Sequence, residues 1–163
     1  MVVPKRTDRG NDAMQHDDLC ALFTDRRRRD SVLARLRAEL VRVRDFAERQ
    51  NRETFRPAEF LPPSFYLERY RTARIEAAID AMYDEVGARQ DLLQHHLLEL
   101  LAAADAADTL SQQMAATVRT YGGRLQDAQV AEHARLLQPY ARRVLDAATR
   151  ALEQLPPPEM TTP

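Results

Sequence analysis

The chain has few of the residues that make tight turns and phosphate-binding loops. Only 4 glycines occur among 163 residues, and no run of them matches a Walker or dinucleotide-binding fingerprint, so cofactor capture by a glycine-rich loop is excluded. A single cysteine, Cys20, rules out an intramolecular disulfide framework and fits a reducing compartment. Tryptophan is absent and aromatics make up 6%, which leaves few large side chains to fill a core. No segment approaches the roughly 18 uninterrupted apolar residues of a membrane span, and "MVVPKRTDRG" lacks the apolar run of a secretory signal. The expectation is an intracellular protein, cytoplasmic or nuclear, with no membrane insertion. A net charge of -1 also removes the dominant basic face expected of a dedicated nucleic-acid protein.

What fills the chain instead is helix-forming. Ala, Leu, Arg, Glu and Gln dominate from about residue 18 to 155, and alternating β-branched stretches bounded by turn residues do not occur. The fold class expected is all-α, an elongated helical bundle or coiled coil with four main helical segments. Much of the 44% apolar content is alanine, which buries little area, so the core is expected to be thin unless another chain completes it. Charge is unevenly placed: residues 1–56 carry 14 Lys and Arg against 10 Asp and Glu, and the remainder carries 10 against 15.

The organisation expected is a disordered tail over 1–16, a helical or coiled-coil domain over 17–155, and a Pro-rich tail over 156–163. In the first helix, Leu22, Leu33, Leu36, Leu40, Val43 and Ala47 share one heptad frame, with Arg26 and Arg29 in intervening core slots. Pro57, Pro62 and Pro63 forbid a continuous helix and make 52–64 an extended connector. Phe55, Phe60, Leu61 and Phe65 make it too apolar for a solvated linker. Ser64 is the candidate N-cap of a second helix, with Glu68 in its first turn. That helix carries Phe65, Thr72, Ile75, Ile79, Met82 and Val86 on a second heptad frame. Gly87 marks either a hairpin corner or a tolerated helix interruption, Asp91 opens a third helix that Gly122-Gly123 ends, and a fourth runs from about Leu125 to Leu155 with a kink or restart at Pro139.

Chemical motifs are weak. "DRRRRD" invites an import-signal or nucleic-acid reading of Arg26, Arg27, Arg28 and Arg29, but successive helical residues are about 100° apart, so the four side chains wrap the helix. In "QHHLLELL", His96 and Glu99 are spaced to reach one metal ion, but neither the zinc-protease nor the di-iron pattern is met, and the stretch reads as the polar flank of an amphipathic helix. His16 and Cys20 lack a third orienting residue. Glu132 and His133, adjacent in sequence, point in different directions. Tyr66 and Tyr70, one helical turn apart with Arg69 and Arg74 nearby, suit base stacking, yet helix packing explains the same spacing more simply. No catalytic, cofactor or metal residue is assigned.

At "LPPSFYLERYRTARIEAAIDAMYDEVGAR" the pattern resembles the helical region of the central-channel nucleoporins, over about residues 35–125. The matching positions are Pro63, Ser64, Phe65, Tyr66, Leu67, Glu68, Arg69 and Tyr70, followed by the Leu92 to Tyr121 helix. The resemblance implies a coiled-coil subunit of a larger complex, although the chain has no Phe-Gly dipeptide and so lacks the repeats of that family.

The function expected is therefore a non-enzymatic helical assembly subunit, pairing with copies of itself or with other helical subunits. The contact residues would be Leu33, Leu36, Leu40, Val43, Phe60, Phe65, Tyr66, Tyr70, Ile75, Ile79, Met82 and Val86. The alternative is a small helical nucleic-acid-binding factor using its Arg-rich first helix. No cofactor is expected.

Overall fold

The computed structural model describes residues 11–54, 56, 68–86, 91–122 and 125–157, with the backbone alone described at 11–25, 83–86 and 91. Four α-helices make up the fold among these residues: α1 (Asn11–Glu53), α2 (Ala73–Val86), α3 (Asp91–Thr120) and α4 (Asp127–Gln154). No strand occurs among them, and the fold is the expected all-α bundle.

Local chemistry sets the boundaries. At 43 residues, α1 is about 65 Å long. It begins at Asn11, so the expected disordered tail over 1–16 is corrected at its inner end: beyond Gly10 no proline or glycine stops the helix from extending outward. The rest of that tail lies outside the described residues, as do most of the connector and Ser64. α3 ends as expected, with Gly122 at φ 67° and its N–H donating to Arg119 O at 3.4 Å. At the start of α4 the Gln129 side chain accepts from Gln126 N at 3.0 Å. Neither a restart nor a break occurs at Pro139, because α4 runs through it. Pro139 and Arg135 are both exposed, so the position that loses a helical hydrogen bond lies on the outer side of the bundle.

The start of α2 differs most from expectation. Helical bonding begins at Thr72, whose carbonyl accepts from Glu76 N at 2.9 Å. Residues 68–71 are not helical, and Arg71 has φ 57°, a left-handed conformation that no right-handed helix can pass through. Asp108 on α3 holds the chain there by accepting from Tyr70 N at 2.8 Å. Tyr70 therefore stands at a corner instead of one helical turn after Tyr66.

Packing does not follow chain order. α1 lies between α2 and α4, and α4 lies between α1 and α3. Leu36, Leu40, Val43 and Ala47 of α1 and Ile75 of α2 are fully buried, and Ile79 and Met82 nearly so. The expectation that these seams are offered to a partner is corrected: they form the chain's own core together with Leu93, Leu97 and Leu100 of α3 and Leu137 and Val144 of α4. Each such side chain contributes about 1.5–3 kcal/mol on full burial. The alanines do not leave the core open. Ala103, Ala104 and Ala107 of α3 and Ala134, Ala141 and Ala148 of α4 are all buried, and small side chains allow two helices to approach closely without voids. At the far end, Arg37 of α1 donates through Nη2 to Leu155 O at 3.3 Å and to Pro156 O, tying the chain after α4 to α1.

Candidate functional site

The bundle leaves one part of α1 outside its core. Arg26, Arg27, Arg28, Arg29, Asp30 and Ser31 are all exposed, and Val32 is the first buried residue of α1 among those whose side chains are described. Six residues exceed one full turn, so no face of the helix is buried over this stretch. The backbone continues outward to Asn11, making about 31 Å of helix ahead of Val32. Arg26 and Arg29 do not occupy core slots; among the residues whose side chains are described, the intramolecular seam begins with Val32 and Leu36, and Leu33 is half-buried beside it.

The other expected contact residues are accounted for as follows. Phe60, Phe65 and Tyr66 lie outside the described residues, and only the backbone of Val86 is described. Tyr70 is 1% exposed and anchors a polar corner. Its hydroxyl donates to Gln50 Oε1 at 2.5 Å. Its carbonyl accepts from Arg42 Nη2 at 3.0 Å, and its ring lies 4.6 Å from Phe46, centroid to centroid. Burial, with Asp108 close by, pushes the hydroxyl well above the usual phenol range, so it stays a neutral donor. Burial also raises Asp108, against the lowering effect of its backbone hydrogen bonds from Tyr70 and Arg71. Arg49 caps the outer side, 5.2 Å above the Phe46 ring and 2.8 Å from Glu68. These bonds join α1, α3 and the chain before α2, so the corner holds the fold.

A shallow groove of about 390 Å³ runs between α3 and α4, lined by Leu110, Met114 and Leu136 with Gln113, Glu132 and His133. Both Glu132 and His133 border it, but Glu132 is exposed and His133 buried, so they point in different directions, as expected from their adjacency. They remain a poor acid/base pair. The Arg135 side chain, hydrogen-bonded at 2.6 Å and 2.8 Å, holds Glu132 below the usual carboxylate range. Burial lowers His133 and keeps it neutral.

Among the described residues, a cluster of potential metal ligands lies on α3. His95, His96 and Glu99 present ligand atoms that all lie within 4.8 Å of one another. The spacing of His96 and Glu99 is visible in the sequence; His95, the exposed member, belongs to no ordered metal-helix motif. Among the described residues, no helix is long and apolar enough to cross a membrane. Compared with known protein families, curated proteins and solved structures, the chain matches none. The likeness to nucleoporin helices thus rests on its quoted residues, of which those at 63–67 lie outside the described ones.

Proposed function

We propose that the chain is a non-enzymatic assembly subunit whose bundle is self-sufficient and whose α1 extension is the association element. The observation that carries this is the solvent-exposed turn Arg26–Ser31 within a helix that continues to Asn11. An isolated helical segment is marginal in water and gains stability by packing an apolar seam against another helix. The sequence supplies such a seam: Leu19 and Leu22 precede Arg26 and Arg29 at heptad-compatible spacing. A second copy of the chain is the partner that charge favours. Residues 1–56, the first third of the chain, carry an excess of 4 positive charges, placed on either side of 11–31, and the remainder carries an excess of 5 negative ones, so unlike parts of two copies attract.

Light scattering of the full chain over a concentration series tests the reading. The expected result is a dimer or larger oligomer that falls to monomer mass in Leu22→Asp, with the thermal midpoint of the bundle unchanged. A monomer at every concentration, or an oligomer indifferent to Leu22→Asp, overturns self-assembly through α1. Salt-sensitive binding to a generic duplex would favour the nucleic-acid reading of Arg26 to Arg29 instead.

A further inference from the structure

We propose that His95, His96 and Glu99 form a binding site for a divalent transition-metal ion of the zinc type. This is independent of the assembly role. On a helix, His95 and His96 are about 100° apart, and Glu99, one turn on, falls about 40° from the first and about 60° from the second. The carboxylate therefore stands over the gap between the two imidazoles. The ring centroids are 5.5 Å apart, and the three ligand atoms lie within 4.8 Å of one another. Zinc–nitrogen and zinc–oxygen bonds of about 2.0–2.2 Å place tetrahedral ligands some 3.3–3.6 Å apart. Side-chain torsions close the remaining gap of about 1 Å without moving the backbone.

Burial at the site supplies the second observation. His96 is 7% exposed, and its Nδ1 is buried with no hydrogen-bond partner. A buried imidazole nitrogen left in that state is costly, and coordination gives it a partner. His95 is exposed and Glu99 half-buried, so an ion enters from solvent and settles against the bundle. Two imidazoles and one carboxylate suit a borderline cation such as zinc better than calcium or magnesium, which prefer all-oxygen ligand sets. Three protein ligands leave a fourth position to water or to an incoming ligand. Leu92, 54% exposed, lies one turn earlier at an angle between the two histidines and shields one side of the site.

The test is calorimetric titration of zinc ion into metal-free full-length protein at neutral pH. It is carried out in a Cys20→Ser background, because Cys20, four residues after His16 in sequence, offers a competing pair of ligands. The expected result is one ion per chain, with affinity reduced about tenfold or more by either His95→Gln or Glu99→Gln. Both substitutions are outside the packed core and leave the helical circular dichroism intact. Zinc should also raise the thermal midpoint of the parent and not that of Glu99→Gln. His133→Gln, on another helix, should bind like the parent. Absence of binding at submillimolar zinc, or binding unchanged by both His95→Gln and Glu99→Gln, overturns the proposal.

Discussion

Tyr70→Phe isolates the polar corner that sets the start of α2. The change removes one oxygen, leaves the ring against Phe46, and deletes the bond to Gln50 Oε1 at 2.5 Å. Tyr70 and Gln50 are 1% and 3% exposed, so water does not replace the lost donor. A hydrogen bond contributes about 0.5–1.5 kcal/mol net, and stranding a buried acceptor raises the cost to about 1–3 kcal/mol. For a chain of this size each kcal/mol lowers the midpoint by about 2–4 °C, so a cost near 2 kcal/mol gives a drop of about 4–8 °C. Urea unfolding followed by helical circular dichroism measures it. Gln50→Met placed on Tyr70→Phe removes the stranded carbonyl and should recover part of the loss, so the two single costs should exceed that of the double variant. The reasoning fails if Tyr70→Phe stays within about 0.5 kcal/mol of the parent, or if the two costs simply add.

Two further outcomes follow from the same residues and their neighbours. Arg71→Gly should raise stability by about 0.5–1 kcal/mol, since φ 57° strains a residue with a Cβ, while Arg71→Val should lower it; the midpoints of the two variants in urea decide the sign. Stability should fall as pH drops below the ordinary histidine value of 6.5. The folded-state value of His133 is depressed by burial, so its contribution is present above 6.5 and is lost as pH falls through the lowered value. Asp108, raised from 3.8, works oppositely: its contribution is present below 3.8 and lost as pH rises through its folded-state value. Denaturation in His133→Gln should lack the near-neutral component, and a slope equal to the parent's would refute the assignment.

Burial was legible in the sequence where a helix shows a repeating apolar face. Leu36, Leu40, Val43, Ile75, Ile79 and Met82 were all marked as seam residues, and all are buried. What covers them was not legible, because periodicity reports that a face is hidden and says nothing of whether the covering helix belongs to the same chain. The alanine faces of α3 and α4 were undervalued for a related reason: area per residue ignores how closely small side chains let helices approach. The corner at Tyr70 depends on Gln50, 20 residues before it, and Asp108, 38 residues after it. No local rule links such positions, so the helix start was placed at the nearest capping residue. The histidine pair was half-read because a motif search tests residue order, whereas a metal tests distance.

The central position of α1 also has a consequence for how the chain is made. α1 leaves the ribosome first, but α4, which covers much of its apolar face, comes last. About 100 residues separate Glu53 from Gln154, and at about 5–20 residues per second their synthesis takes on the order of 5–20 s. During that interval α2, from the next part of the chain, is the cover available to Val32, Leu36 and Leu40. A nascent chain stalled before Asp127 therefore displays an unfinished core face to solvent, where chaperones and other nascent copies compete to cover it.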